Sequence, residues 1–321
     1  MLVQTDPTQQ ASPSPPSRLR LWLAGIVLGD LVIALLYGAA TVLLKQLNLL
    51  GMLGLPSFLL VPGLGGFIAS YIWRALKPTI GATCLNTFWM TLLALVGAVL
   101  AFHEGAICLL IVSPLFFASA LTGTLLGRIF FKTYPTRLQL SVLPLLLLGV
   151  LAEPLTRANT ESVITDEILI HAPAGKVWPQ VTSFPEIPSP PHFWLFRLGL
   201  PYPTATTSAG DFVNADRQCI FSGNAMFKER VAAIVREEKL TFDIVESPQD
   251  PELVGHLTAH RGQFVLRDNG NGTTTLAGST WYTLHVRPLW YFDLWTQHIF
   301  RSVHLRVMED VRRRAEKPGY P

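Results

Sequence analysis

Chemistry-bearing side chains gather in one stretch of the second half of the chain. Arg217, Cys219 and Phe221 alternate in one run, Phe227 and Glu229 in the next, and Ser222-Gly223-Asn224 separates the two. If those three residues form a hairpin loop, Arg217 stands opposite Glu229 and Cys219 opposite Phe227, while Asp216 meets Arg230 on the other face. A slip of one residue sets Arg217 against Arg230, so charge selects the three-residue loop. One face then carries Phe221, Cys219, Phe227 and Val231, with an Arg–Glu pair at its end. Two readings follow for that pair. Either Arg217 anchors the polar head of a ligand while Glu229 holds the guanidinium, or the two form a cross-strand ion pair that supports the sheet.

The other candidates are more scattered. A nucleophilic Cys219 needs a nearby base to lower its pKa, and no Cys–His–Asn pattern is visible, so it reads as a small buried residue. His256 and His260 have helix-like metal spacing, but no Glu follows the first His, and the pair sits beside Gly255 and Gly262 in what reads as a linker; no metal is expected. His192, Trp194 and Phe196 in a Pro-rich segment either line a cavity mouth or pack within their own loop. No Ser-His-Asp motif, phosphate loop or dinucleotide fingerprint occurs, so no cofactor is expected. Cys84, Cys108 and Cys219 are too far apart for a disulfide framework or a zinc pattern.

These residues need elements to hold them. Residues 162–170 alternate as a strand, with Val163, Thr165, Glu167 and Leu169 on one face. Pro173 opens a helix over 174–184, and 185–203 is an irregular segment dense in Pro and aromatics. Strands are expected near 211–221, 225–236, 240–246, 262–267 and 273–286, with Asp268-Asn269-Gly270-Asn271-Gly272 as a hairpin loop. A long helix over 290–316 carries Phe292, Trp295, Ile299, Val303, Val307 and Val311 as one apolar stripe, with His304 at its edge. Arg312, Arg313 and Arg314 at its end suit the helix dipole, or a membrane surface. This layout is α+β, with the helix laid across an antiparallel sheet.

The layout and several short motifs resemble the START-like helix-grip superfamily, SRPBCC, near its polyketide cyclase/dehydrase-type members. The resemblance covers residues 162–316. It rests on Ile168-Leu-Ile-His-Ala-Pro-Ala-Gly-Lys-Val-Trp178, on Arg217-Gln-Cys-Ile-Phe-Ser-Gly223 with Phe227-Lys-Glu229, on Thr280-Trp-Tyr282, and on the final helix with His298 and His304. It implies a curved sheet gripping a helix around an apolar cavity. The ligand-lining set is then expected among His192, Trp194, Arg217, Cys219, Phe221, Phe227, Glu229, Trp281, Trp295, Ile299 and His304.

The first half of the chain is of a different kind. Half of the 321 residues are hydrophobic and 15% are charged, well short of the roughly 25% usual in soluble domains. Residues 1–155 hold eight Lys/Arg and four Asp/Glu; residues 156–321 hold 17 and 18. Residues 1–18, rich in Pro and Ser, read as a disordered tail, 19–155 as a membrane region and 156–321 as the helix-grip domain. Apolar runs at 21–44, 49–73, 80–102 and 106–131 are long enough to span a bilayer, and a shorter fifth lies at 138–152. Arg18, Arg20, Arg74, Lys77, Arg128, Lys132 and Arg137 share one side of these runs and Lys45 lies on the other, which places the N-terminus in the cytoplasm. If the fifth run crosses, the domain is extracytoplasmic; if it lies in the interface, the domain is cytoplasmic. Asp30 falls inside the first run, where an ionisable group is expensive.

The expected fold is therefore a membrane bundle of four or five helices fused to a helix-grip domain. A net charge of +3 leaves no basic field for nucleic acid. The expected partners are membrane lipids and a hydrophobic or lipid-like small molecule held in the cavity. The rival readings are an enzyme of cyclase, dehydratase or hydrolase type using Glu229, His304 or His192 as acid or base, and a structural membrane subunit with a filled core.

Overall fold

The computed structural model describes residues 17–46, 56–102, 105–133, 161–250, 252 and 257–317. The expected tail up to residue 16, the fifth apolar run and His256 lie outside them.

Among the described residues, four helical stretches are long and apolar enough to cross a membrane: α1 (Arg18–Gln46), α2 (Val61–Trp73, which with the wide turn Pro56–Leu60 before it and a short turn after it makes the span Phe58–Leu76), α3 (Ile80–Phe102) and α4 (Ala106–Thr133). Helices α2 and α4 meet along small residues. A side-chain carbon on Gly123 would collide with the Gly63 carbonyl, and one on Gly66 with the Ala120 carbonyl. Small residues that let two helix backbones approach this closely are the packing that suits helices surrounded by apolar surface. Arg74, Lys77, Arg128 and Lys132 sit at one end of the bundle, where Arg128 donates to the Pro78 carbonyl and to Thr83. Asp30 is enclosed, and its two carboxylate oxygens have no hydrogen-bond partner among the described residues.

The second half is one seven-stranded antiparallel sheet: β1 (Glu161–Ile170), β2 (Pro203–Ser208), β3 (Asp216–Phe221), β4 (Met226–Val235), β5 (Lys239–Glu246), β6 (Leu257–Asp268) and β7 (Thr274–Leu284). Their order across the sheet is β1-β7-β6-β5-β4-β3-β2, so the first strand pairs with the last. Bulges in β4 and β6 curl it. Helix α5 (Ala174–Thr182) follows β1, a short α6 (Trp194–Leu198) lies in the Pro-rich segment, and α7 (Leu289–Ala315) closes the concave side. Val307, Met308 and Val311 of α7 pack into a core with Val177, Trp178, Leu240 and Leu276. Gly278 lets α7 approach the sheet, because a side chain there would press on Met308 Sδ at 3.1 Å.

Several elements differ from the sequence expectation. Strand β2 is an element the sequence pattern does not predict: Thr206 exchanges backbone hydrogen bonds with Phe184, and the Thr204 carbonyl accepts from the Ile187 amide, which turns the Pro-rich segment back onto the sheet edge. Residues 211–215 form a loop, and β3 starts at Asp216. His260 is in strand β6, where its Nε2 meets Thr283 Oγ1 at 2.9 Å, so no helix displays it for a metal. Arg313 and Arg314 are not a free basic end. They bond Asp310, and Arg314 also donates to the Glu186 carbonyl, tying the Pro-rich segment to α7.

The domain packs on the bundle at the end opposite the basic residues. Glu252 accepts hydrogen bonds from the Ile107 and Cys108 amides, both at 3.0 Å, and so caps the exposed N–H groups that open α4. Phe292, Leu195 and Phe196 join Phe58, Ile107, Ile111 and Val112 in one apolar cluster.

Candidate functional site

The hairpin register is the expected one. Arg217 pairs with Glu229, Cys219 with Phe227 and Asp216 with Arg230, around the loop Ser222-Gly223-Asn224. Gly223 and Asn224 take positive φ, which the loop needs and which Gly and Asn accept. Alternation sends Arg217 and Glu229 to the concave face, where both are almost completely buried and joined by an ion pair. Asp216 and Arg230 pair on the solvent face. The Arg217 guanidinium also lies 4.3 Å from the centre of the Phe242 ring, and its Nε–H reaches the Thr182 carbonyl at 3.4 Å.

Between the sheet and α7 lies a cavity of about 80 Å³. Phe184, Phe242, Phe264, Val303 and Val307 form its apolar wall, and Arg217, Cys219, Thr206, Thr280 and His304 bring polar atoms to it. It is smaller than the 150 Å³ space that admits benzene in an engineered protein, and far below the usual ligand pocket of roughly 300–1,000 Å³. In this conformation it has room for a group of a few heavy atoms, not for a whole lipid.

One wall contains a chain of hydrogen bonds. His304 Nδ1 is 2.9 Å from Asp166 Oδ2, and its Nε2 is 2.8 Å from Thr280 Oγ1. The two contacts fix the ring orientation, with Nδ1 turned to the carboxylate and Nε2 to the threonine hydroxyl. Arg301 stands 3.6 Å from the other Asp166 oxygen. Asp166 was not among the expected site residues. Its signal was present in the strand pattern: with Val163, Thr165, Glu167 and Leu169 facing solvent, Asp166 falls on the inner face between Ile164 and Ile168.

On the other wall, burial, reinforced by the Glu229 charge, pushes the Cys219 thiol up to about 12. It carries no useful thiolate near neutrality and packs as a small side chain beside Thr206, whose hydroxyl lies 3.5 Å from its sulfur. Burial also holds the Glu229 carboxyl above the usual carboxylate range, with Arg217 offsetting part of the rise.

Of the expected site residues, Arg217, Cys219 and His304 share this cavity, and Glu229 stands behind Arg217. The others lie elsewhere. Phe221 and Phe227 pack against each other with tilted rings at the hairpin tip, 4.9 Å between centres, and are not part of the cavity wall. Trp281 sits between Thr280 and the buried Tyr282, so alternation turns it to the outer face, beside Val163 and Arg261. His192 and Trp194 are exposed, and Phe193 makes the inward contacts of that loop with Phe196 and His298. Trp295 and Ile299 pack in the cluster shared with the apolar helices of the first half, one to two turns before the cavity begins at Val303. Among the described residues, no three His, Cys, Asp or Glu side chains gather at metal-binding spacing.

The C-terminal half has the helix-grip fold: a curled antiparallel sheet closed by its long last helix. No protein-family model and no curated protein matches the chain. Solved structures that match include norcoclaurine synthase from Thalictrum flavum, at 14% identity over 51% of this chain and 98% of that one, with a TM-score of 0.36. A Nitrosospira multiformis protein matches at 16% identity over 49% and 97%, with a TM-score of 0.34. The protein XoxI from Bacillus cereus matches at 14% identity over 47% and 94%, with a TM-score of 0.35.

Proposed function

We propose that this chain is a membrane-anchored helix-grip protein whose domain binds a small amphipathic molecule, lipid-like in character, between the sheet and α7. The observation that supports this most is the cavity itself, an apolar space into which a buried arginine and an oriented histidine both project. Apolar burial with a few placed polar groups is how small-molecule sites achieve both affinity and orientation. At its present size the cavity takes one end of such a ligand, and the rest requires α7 to shift away from Phe242 and Phe264.

The test is native mass spectrometry of the detergent-purified full chain, compared with Cys219→Trp, which fills the space, and Cys219→Ser, which does not. We expect a bound mass retained in the wild type and in Cys219→Ser and lost from a folded Cys219→Trp. A wild-type chain that carries no small molecule and takes up no fatty-acid or sterol probe refutes the reading.

The Asp166–His304–Thr280 chain favours a second reading, an acid/base enzyme. A carboxylate that orients an imidazole towards a hydroxyl is the arrangement that activates a nucleophile. Ligand turnover lost in His304→Gln, with ligand binding retained, would select that reading over a carrier.

A further inference from the structure

The first turns of α7 run alongside the bundle and do not stop at its end. The Tyr291 hydroxyl donates to the Ile111 carbonyl at 2.5 Å, and the Phe292 ring packs on Phe58 with 5.4 Å between centres. The same cluster takes in Leu109 and Leu115 of α4 and Leu95 of α3. The depth of these contacts follows from helix geometry. Arg128 marks the basic end of α4, and a hydrocarbon core of about 30 Å spans about 20 residues, which counts back to Cys108. At about 1.5 Å per residue, Ile111 and Leu115 then lie roughly 5 and 10 Å inside the apolar slab.

On the side of α7 and α6 away from these contacts, large apolar residues are uncovered. Trp290 is 72% exposed, Leu294 67%, Leu198 60% and Trp194 45%. We propose that this surface is a bilayer contact: the first turns of α7, with α6 beside them, lie in the leaflet at the N-terminal end of α4. Three observations identify lipid as the occupant. The surface is continuous with the flank of α4, where Leu110 is also exposed. Its depth, set by Tyr291 on Ile111, is that of the acyl–headgroup boundary. Tryptophans are the side chains favoured at that boundary, and Arg197, exposed between Trp194 and Leu198, can reach headgroups. Because the basic residues occupy the other end, this is the leaflet away from the cytoplasm. The consequence reaches the cavity. Val303 belongs both to this cluster and to the cavity wall, so one helix touches lipid at its start and the proposed ligand space three turns later.

The inference rests on the reading that α1–α4 cross a bilayer, and the experiment separates the two. Single spin labels are placed at Leu294, at Leu93 on the exposed flank of α3, and at Phe212 in the exposed loop before β3. The full chain, with its native cysteines replaced by serine, is reconstituted in phosphatidylcholine–phosphatidylglycerol vesicles. We expect labels at Leu294 and Leu93 to be relaxed by oxygen and shielded from a water-soluble nickel complex, with the reverse at Phe212. A nickel-accessible Leu93 label overturns the spanning reading. A lipid-shielded Leu93 with a nickel-accessible Leu294 overturns this proposal alone. The unaltered chain supplies a second measurement, in which brominated acyl chains quench tryptophan emission. Trp290→Phe is expected to reduce the quenched share of that emission, and an unchanged share overturns the proposal.

Discussion

Replacing Arg217 with Met tests the burial of the hairpin ion pair against an internal control. Two ion pairs bridge the same two strands one residue apart. In one, Arg217 and Glu229 are 3% and 6% exposed; in the other, Arg230 and Asp216 are 53% and 72% exposed. Removing one member of a buried pair leaves a charge without a partner and costs roughly 3–5 kcal/mol, against roughly 0–1 for an exposed pair. For a domain of this size that is a fall of roughly 6–20 °C in the apparent melting temperature for Arg217→Met, and a few degrees at most for Arg230→Met. The pH dependence has a definite sign. Burial already holds the Glu229 carboxyl above its ordinary value of 4.5, so the folded chain binds that proton more tightly than the unfolded chain. The stability this group contributes is complete below that value and is lost as pH rises through the folded pKa. Without Arg217 the folded pKa rises further, so Arg217→Met should be least stable near pH 8 and recover towards pH 5, by up to about 1.4 kcal/mol for each tenfold gain in proton affinity. Adding Glu229→Leu removes the stranded carboxylate and should restore stability and abolish the pH dependence. The assay is tryptophan-monitored melting of the detergent-solubilised chain from pH 5 to 8. Equal losses in the Arg217 and Arg230 variants, or a double variant no better than Arg217→Met, would refute the burial argument.

Other outcomes follow from the same geometry. With its thiol near 12, Cys219 has a thiolate fraction at pH 8 about a thousandfold below that of an ordinary thiol, so peptide mapping after mild iodoacetamide treatment should find it unlabelled until the domain is denatured. Gly123→Leu should disrupt the α2–α4 contact and lower the yield of folded protein far more than Gly97→Leu, whose added side chain meets open space. Asp30→Asn should raise or leave unchanged the melting temperature, because the enclosed carboxylate has no partner to lose among the described residues; a marked fall would show that it has one. Glu252→Ala removes the cap on α4 and should cost about 1 kcal/mol, visible as faster amide exchange at Ile107 and Cys108.

Local rules in the chain were sufficient for much of this. The register of the β3–β4 hairpin was legible because it depends on neighbours a few residues apart. Like charges exclude the slipped pairing, and a three-residue Ser-Gly-Asn loop supplies the backbone conformations that the turn needs. The four apolar helices were legible because length and composition alone set what crosses a bilayer. The alternation of β1 was legible too, and it already pointed Asp166 inward.

What that alternation could not show is that His304, 138 residues later, would stand over Asp166 and Thr280. That contact depends on where a 27-residue helix crosses a curled sheet, which is decided by packing, including Gly278 giving way to Met308. The apolar stripe of α7 predicts burial against one surface, the sheet, yet it serves two. Its second half covers the sheet, and its first half, with Trp295 and Ile299, meets the four-helix apolar bundle. Periodicity specifies that a helix face is buried but not what buries it, since a neighbouring sheet and a neighbouring helix remove the same water from the same side chains. The size of the cavity belongs to the same class. It is the small difference between large packed volumes, and only the assembled tertiary structure sets it.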